Sequence, residues 1–435
     1  MRGFYAIGLM VAALLVGATI VWPPVGVAMN LVGVMFAVII VFQLGFQAGV
    51  SYVILGIMLL GALVFILRKR VPVFRLIPQE IAAAGLAAFM ALTLAYTPTP
   101  IYGGIKVQLF AAMCLGALII CRILGSTRGH MEKTLKVFAW VSVSVLVLYT
   151  VLFVLARQMM TENSRFTGGS SALILGWTSA AAIVATSYLI ISHTMPWTKI
   201  VAGVAIFSGL IVVVATGSRG PFVGLVAGAA LTFLGRRQLL WSLGSAVLLT
   251  IVFVVALYLG PAEGRERILT VFGGRYSFEE TGRGELYKMG LDHYRRSPLF
   301  GGGVGSFADY RGWGDTITYP HNMFIEVAGE TGTIGLVLLL ITFAYCVRPM
   351  LRLRSKLEPA ADAAKIIQWL FWVGLANAMV SFDISQQRAL FASIGFLGAV
   401  RQWPVIDEIT EEDLLEYDLD SNEPYRVLDE SVVGY

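Results

Sequence analysis

The sequence predicts an all-α membrane protein with about twelve transmembrane helices, and three observations support this fold class. Hydrophobic residues make up 57% of the 435 residues, charged residues make up only 14%, and the mean hydropathy is +0.78. Apolar runs of about 18 to 25 residues, the length that crosses a bilayer as a helix, recur almost from end to end. Lys and Arg are concentrated in a few short segments between these runs. Because backbone groups in lipid must be paired within their own segment, the spans are expected to be helices. With this membrane-type composition, nucleic acid is not an expected partner.

The apolar runs give thirteen candidate spans. The first run, after Met1 and Arg2, resembles a secretory signal, but we interpret it as an uncleaved span because so many runs follow it. Thirteen spans with a cytoplasmic C-terminus would place Met1 outside, which disagrees with Arg2, so one of the first three runs is expected not to cross separately. The candidate spans are residues 4–22, 26–45, 50–67, 79–96, 105–122, 136–156, 172–191, 198–216, 220–234, 239–259, 321–347, 365–382 and 388–403.

The basic segments predict the orientation of the spans. Four of them are expected to be cytoplasmic: Arg68–Arg75, Cys121–Lys136, Gly235–Gln238 and Arg348–Lys356. The spans then place four other segments together on the outer side: Arg157–Ser171, Gly217–Gly220, Gly260–Pro320 and Ser381–Arg388. We expect this common outer face to carry the functional site.

The predicted domain organisation is a transmembrane catalytic domain over residues 1–406 followed by an acidic cytoplasmic tail over 407–435. The tail carries eleven acidic residues and one basic residue, Arg426. A block of like charge is typical of a solvated appendage, and the alternative is a docking site for a cytoplasmic partner. The outer segment 260–320 is too long for a plain connection between spans, so we interpret it as a cap over a donor or acceptor.

No cofactor or metal site is predicted. Cys114, Cys121 and Cys346 lie in or beside spans and do not have the spacing of metal ligands or of a disulfide framework. The sequence also lacks a nucleotide-binding loop, a dinucleotide fingerprint and an aspartate-rich metal motif. An enzyme of this composition would therefore take a substrate that is already activated.

A single arginine marks the short outer turn in "ATGSRGPFVGLVAG". Arg219 is flanked by Gly217 and Gly220, which allow a ligand to approach the backbone, and by Pro221, which can open the next helix. A guanidinium beside a helix N-terminus suits a phosphate or diphosphate. The alternative is an interfacial arginine that only reaches toward the lipid head groups.

Three more arginines lie in outer segments near span ends, where charge is expensive and favours a functional role. Arg165 lies in the polar loop "ENSRFTGGSSALILG", and Arg388 ends the turn "SFDISQQR". Arg283 begins a predicted amphipathic helix that ends before Pro298.

The strongest candidate for chemistry is the histidine of "TYPHNMFIEVAGETGTIG". Pro320 suits the first helical position, which would place His321 in the first turn, where the helix N-terminus should keep the ring neutral as a general base. Asn322, Glu326 and Glu330 recur every four residues, so they form one polar stripe that is expected to brace the site. The alternative is that His321 and Asn322 only cap the helix while the glutamates pair with other spans.

A set of motifs between the spans resembles a known family. "RFTGG", "TGSRGPFVGL", "GRGELYKMGLDHYRRSPLFGGGVGSF", "HNMFIEVAGETGTIGL" and "SFDISQQR", in this order, are similar to the O-antigen ligase and O-antigen polymerase superfamily of bacterial envelope glycosyltransferases. The resemblance covers Arg165 to Arg401. It implies about twelve spans in a fold of the membrane glycosyltransferase type C class.

The resemblance also implies an activity and roles for residues. The family moves a glycan from undecaprenyl diphosphate to an acceptor hydroxyl at the periplasmic face of the bacterial inner membrane, without a nucleotide sugar or metal. His321 matches the histidine that activates the acceptor, while Arg219, Arg283 and the less regular Arg165 match arginines that bind the diphosphate. Supporting roles for Asp383 and Arg388 follow from a looser pattern.

Three functions remain open from the sequence. The first is an O-antigen ligase that uses lipid A core as acceptor, and the second is an O-antigen or exopolysaccharide polymerase that uses another lipid-linked glycan. The spacing from Arg165 to Gly176 is similar to that in outer loops of some polymerases, but no second copy occurs. The third is a transporter of lipid-linked glycan, which would bind the diphosphate without chemistry.

Overall fold

A computed structural model describes residues 16–31, 50–68, 76–157, 172–192, 195–233, 254, 258, 282–353 and 359–407. Within these residues the chain is helical and contains no strand, as the sequence predicts. The helices are α1 (Pro24–Leu31), α2 (Val50–Arg68), α3 (Pro78–Thr93), α4 (Pro100–Leu109), α5 (Gly116–Leu124), α6 (Arg128–Arg157), α7 (Ala172–Ser192), α8 (Pro196–Ala215), α9 (Arg219–Phe233), α10 (Arg283–Arg296), α11 (Phe307–Tyr310), α12 (Met323–Leu353), α13 (Pro359–Val380) and α14 (Arg388–Asp407).

Six helices of the described part are long and apolar enough to cross a membrane: Pro100–Leu124, Arg128–Val154, Ala172–Ser192, Pro196–Ala215, Met323–Val347 and Asp362–Val380. They support a multi-pass membrane protein. The predicted number of twelve stays a prediction, because most of the predicted spans 4–22, 26–45 and 239–259 lies outside the described residues. Helix α3 ends at Thr93 and is therefore shorter than the predicted span 79–96.

Helix α7 lies at the centre of the bundle and packs against α6, α8, α9 and α13. Its sequence is apolar all round, and small residues such as Ala180, Ala182 and Ala185 are buried in its middle turns. An apolar stripe on one side only would indicate a helix with a solvated face, so this pattern explains the enclosed position. Small side chains also let neighbouring helices approach closely.

Two of the long helices are interrupted. Between α4 and α5 the chain winds through a π-helical turn, Phe110–Leu115, without leaving the helix axis. Helix α12 is broken at Gly332, whose φ of 65° and ψ of −164° are not helical. We call residues 323–331, before the break, the half-helix.

At the break, backbone groups on both sides of Gly332 form hydrogen bonds with the glycine-rich outer segment. Thr333 N and Ile334 N donate to Pro298 O and Leu299 O (2.8 and 3.4 Å) instead of to the half-helix. The carbonyls that lose these donors, those of Gly329 and Glu330, accept hydrogen bonds from Gly302 N and Gly303 N, both at 2.9 Å. These four backbone groups at the break are therefore paired, as burial requires.

Three of the four predicted outer segments have described residues that lie at the same end of the bundle. The segments are Gly217–Gly220, Gly260–Pro320 and Ser381–Arg388. Gly220, in the first turn of α9, packs against Trp177 and Val380. Trp177 Nε1 donates to Ser381 Oγ at 3.3 Å, which brings α7 to the turn between α13 and α14. Asp315 of the outer segment accepts hydrogen bonds from the first backbone amides of α4. Apart from Arg157, the fourth predicted outer segment lies outside the described residues.

Candidate active site

Helix α12 begins one residue after its cap, Asn322. The Asn322 side-chain oxygen accepts hydrogen bonds from Phe324 N and Ile325 N at 3.0 and 3.1 Å, which is the arrangement that favours asparagine at an N-cap. His321 therefore precedes the helix, and the prediction that it lies in the first turn behind Pro320 is wrong. Asparagine supplies a side-chain acceptor for two free amides, and this cap sets the start of the helix.

His321 is held in an unusual backbone conformation. Its φ is 60°, and Phe382 has a φ of 61°; these are the non-glycine residues with positive φ in the described part of the chain. The Tyr287 hydroxyl donates to Met379 O at 2.9 Å and lies 3.4 Å from His321 O, while Asn322 Nδ2 donates to Met379 O at 3.2 Å. Such conformations cost about 1–3 kcal/mol and cluster at functional sites. Both of them lie around the candidate site.

The His321 ring is neutral near pH 7. Burial is the main cause that lowers its pKa to about 4, and the positive charges of Arg283 and Arg311 act in the same direction. Its ring meets the ring of Tyr319 edge to face, with centroids 4.7 Å apart. Nδ1 is buried without a hydrogen-bond partner among the described residues. Neutrality was predicted from the helix N-terminus, but burial and the two guanidinium groups are the causes that the structure gives.

The amphipathic helix predicted after Arg283 is α10, which packs on α12. Gly290 leaves room for the Ile325 side chain, because a Cβ at this position would clash with Ile325 Cγ2. His293 on this helix is buried, and its Nε2 lies 2.8 Å from Ser306 Oγ. Burial also lowers the pKa of His293 to about 4. These contacts hold Arg283 at the same end of the bundle as His321.

The structure describes only part of what was predicted for Arg219 and nothing for Arg165. Helix α9 begins at Arg219 itself, after Gly217 with a φ of 61°, so the predicted turn and helix N-terminus are present; the Arg219 side chain is outside the description. Arg165 lies outside the described residues. Sequence reasoning missed Arg311, whose guanidinium lies 3.9 Å from the centroid of Trp313.

Glu326 and Glu330 are both buried, and they share one cation, Lys106 of α4. Lys106 Nζ lies 2.6 Å from Glu326 Oε1 and 2.8 Å from each carboxylate oxygen of Glu330. We call these three residues the Lys106 cluster. The predicted polar stripe therefore descends into the bundle, and its glutamates pair with another span, which was the alternative interpretation. A lone lysine in an apolar run, "GGIKVQLF", was the signal in the sequence that could have revealed this partner.

Asp383 is joined to the Lys106 cluster through α4 and the turn after α13. Tyr102, one turn before Lys106, donates from its hydroxyl to Asp383 Oδ2 at 2.9 Å. Ser385 Oγ donates to Asp383 Oδ1 at 2.7 Å, and Ile384 N donates to Glu326 Oε2 at 3.2 Å. Asp383 therefore fixes the turn and does not contact His321 through a described hydrogen bond.

Arg388 begins α14 and lines a cavity of about 90 Å³ together with Trp177 and Asn377. Its Nη1 is buried without a described hydrogen-bond partner. Like Asp383, Arg388 has no described hydrogen bond to His321. Of the described side chains, no group of three or more His, Cys, Asp and Glu is arranged to hold a metal ion.

A second buried ion pair lies at the opposite end of the helix that carries Lys106. Arg122 Nε lies 3.1 Å from Glu80 Oε1, and both side chains are buried. Glu80 Oε2 also accepts from Ile77 N at 3.0 Å and so caps α3. Sequence reasoning missed this pair and assigned Arg122 only to a basic cytoplasmic segment.

Residues 203–340 match the family model of the O-antigen ligase. The matched segment, 138 of the 435 residues, is similar to O-antigen ligases. The match confirms the resemblance for a segment that contains Arg219, Arg283, His321 and both glutamates of the Lys106 cluster. Lys106, Asp383 and Arg388 lie outside the matched segment, although Lys106 and Ile384, the neighbour of Asp383, contact it at Glu326. No curated protein matches the chain.

Proposed function

We propose that the chain is an O-antigen ligase-type glycosyltransferase. In this proposal it moves a glycan from undecaprenyl diphosphate to an acceptor hydroxyl at the periplasmic face of the bacterial inner membrane. The observation that carries the proposal is the neutral His321 ring, with an unpaired buried nitrogen and two nearby guanidinium groups, inside the segment that is similar to O-antigen ligases. A neutral imidazole can accept a proton, and guanidinium groups can stabilise a departing anion.

The proposed reaction is a direct displacement at the anomeric carbon. His321 accepts the proton of the acceptor hydroxyl while its oxygen forms a bond to the anomeric carbon. The bond from that carbon to the diphosphate oxygen breaks, and its electron pair leaves with undecaprenyl diphosphate. Fixed cations on Arg219, Arg283 and Arg165 would stabilise this negative charge without a metal. A single displacement inverts the anomeric configuration.

Binding of the donor should also change the pKa of His321, the proposed base. An anion next to a histidine favours the imidazolium form, so a bound diphosphate should raise the pKa of His321 from about 4. The base would then become stronger when the substrate is in place. The supporting residues Asn322, Glu326, Glu330, Asp383 and Arg388 would act by fixing the helix starts and turns around the site.

Lipid A core is the proposed acceptor. A polymerase would share the donor and the chemistry and would use a second lipid-linked glycan instead, so the acceptor separates the two activities. The acidic tail over 407–435 is proposed as a solvated cytoplasmic appendage, with a cytoplasmic partner as the alternative.

A transporter of lipid-linked glycan is a second candidate, favoured by one observation. Helix α12 is broken at Gly332, and transporters often bind substrate at broken helices. In transporters of that kind the unwound backbone binds the cargo or its coupling ion. Here four backbone groups at the break are already paired with the outer segment, from Pro298 to Gly303. The break therefore supports a structural role better than a transport site.

The test is transfer by the purified chain in nanodiscs that contain undecaprenyl-diphosphate glycan, without nucleotide and with a metal chelator. Lipid A core is supplied in one arm and omitted in the other. A single lipid A conjugate for each donor glycan would establish the ligase, and its linkage should be inverted. A ladder of lengthened lipid-linked glycan without lipid A would establish the polymerase. Movement of donor between leaflets with no new glycosidic bond would establish the transporter.

A further inference from the structure

The Lys106 cluster is a deeply buried group of charges in the described part of the chain. The side chains of Lys106 and Glu326 have 0% exposure and that of Glu330 has 3%. Two carboxylates one helical turn apart share one ammonium group, so neither glutamate can move away without leaving an unpaired buried charge. Such arrangements are expensive to break, which makes the geometry strongly preferred.

The cluster connects the half-helix to two other elements. Lys106 belongs to α4, and the hydroxyl of Tyr102 on the same helix binds Asp383. Glu326 accepts a hydrogen bond from the backbone of Ile384. Helix α4, the half-helix and the turn at 383–385 are therefore held together at one depth of the bundle.

The half-helix needs an external support of this kind. The helix is interrupted at Gly332, so the rotation and axial position of the half-helix depend more on contacts with other elements than they would in a continuous helix. Contacts at Glu326 and Glu330, one turn apart, restrain both movements at once. The opposite end of the half-helix carries Asn322 and, immediately before it, His321. A rotation of the half-helix would therefore displace the His321 ring.

We propose that Lys106 is a positioning residue for His321: it holds the half-helix at the rotation and depth that aim the imidazole at the reacting hydroxyl. Lys106 contacts Glu326 and Glu330 and does not contact substrate. This inference rests on the proposed function, because it assigns Lys106 to the same reaction. A displacement of about 1 Å at a reacting group can cost about 100-fold in rate.

The Glu80–Arg122 pair offers a matched control within the same chain. It is equally buried, and it lies about 24 Å from Lys106 along the helix, at 1.5 Å per residue. It joins α3 to α5, both of which are regular at the contact. Removal of this pair should disturb packing to a similar extent without moving His321.

The experiment compares two variants in which all charges of a cluster are removed together, so that no buried charge is left unpaired. The first is Lys106→Met with Glu326→Gln and Glu330→Gln, and the control is Arg122→Met with Glu80→Gln. Turnover, KM for undecaprenyl-diphosphate glycan, thermal unfolding and hydrogen exchange of residues 323–331 are measured for both. A third variant, Lys106→Arg, tests whether another cation restores the position.

The proposal predicts that the first variant loses turnover by about 100-fold with KM changed by less than about threefold, since the diphosphate-binding arginines lie on other elements. Exchange of the half-helix amides should accelerate by about tenfold or more in this variant only. Lys106→Arg keeps a cation at this position, so its turnover should lie between those of the first variant and the wild type. The control should keep turnover within about threefold of the wild type, although its melting temperature falls.

Equal turnover losses in both variants, or an unchanged turnover in the first, would overturn the positioning role. Unchanged exchange of the half-helix in the first variant would also overturn it, because Lys106 would then not hold this element. If the wild-type chain transfers no glycan, the proposed function fails on its own, and the exchange measurement still decides whether Lys106 holds the half-helix.

Discussion

Two buried ionic groups in the described part of the chain have similar chemistry but connect different kinds of element. The Glu80–Arg122 pair joins two regular helices with one charge of each sign. The Lys106 cluster joins an interrupted helix, a short turn and α4, with two carboxylates on one ammonium. The role of a buried charge therefore depends on the elements that it connects. Irregular elements are weakly fixed by their own hydrogen bonds, so a buried ion pair can determine where they lie.

The largest effect on stability is expected when one cation is removed and its partners stay. Lys106→Met leaves two buried carboxylates facing each other, while Arg122→Met leaves one. Each change should destabilise the fold by about 3–5 kcal/mol, with the larger loss for Lys106→Met. Thermal and denaturant unfolding in detergent measure the two values, and a smaller loss for Lys106→Met would contradict the charge count on which the comparison depends.

The second prediction concerns the break in α12. Gly332→Ala places a Cβ in a clash with Leu299 C and 2.6 Å from Gly301 N, and it forces a φ of 65° on alanine. We expect a loss of about 1–3 kcal/mol from backbone strain alone, and faster exchange of the half-helix amides. Gly104→Ala in α4 is the control, because a Cβ there meets open space and should be neutral or slightly stabilising.

If Gly332→Ala unfolds at the same temperature as Gly104→Ala, the break is not fixed as described. The half-helix would then be able to join the rest of α12 as a continuous helix, and the need for an external support at Lys106 would disappear.

A smaller effect is expected at the N-cap. Asn322→Ala removes the acceptor for Phe324 N and Ile325 N and should cost about 1 kcal/mol. Asn322→Asp keeps this acceptor and should retain most of the stability. Unfolding of the two variants side by side measures the difference, and equal losses would show that the hydrogen bond of Asn322 Nδ2 to Met379 O matters more than the cap.

The smallest expected change is in the pH profile. Because the pKa of His321 is lowered to about 4, the ring stays unprotonated above that pH, and kcat/KM should be nearly flat between pH 5 and 7. A histidine with an ordinary pKa near 6.5 would lose about 30-fold at pH 5. The acid limb of kcat should lie at higher pH than that of kcat/KM, because bound diphosphate favours the imidazolium. A fall in kcat/KM already at pH 6.5 would contradict the burial of the base.

The sequence predicts the elements of the site better than its contacts. The helix start beside Arg219, the amphipathic helix after Arg283 and the stripe of Glu326 and Glu330 all follow from local patterns, although the helix begins two residues before Pro221. Lys106 was missed as their partner because it lies more than two hundred residues away in the chain. Local patterns do not show which spans become neighbours.

The start of α12 and the break at Gly332 each had two possible outcomes between which the local sequence does not decide. Pro320 was expected to open α12, but Asn322 offers a side-chain acceptor for two amides and sets the start. The glycines of "GETGTIG" are compatible with either a continuous helix or a break. The break at Gly332 depends on hydrogen bonds from the segment at Pro298 to Gly303, which only the fold brings alongside.

The central claim is that His321 transfers the proton at the end of the half-helix. Turnover and donor affinity of wild type and His321→Ala, measured in the same nanodiscs with undecaprenyl-diphosphate glycan, test it most directly. Loss of a general base should reduce turnover by about 10²- to 10⁴-fold, with the donor Kd within about threefold of wild type. Turnover of His321→Ala close to that of wild type, or a loss of donor binding that accounts for the whole defect, would contradict the claim.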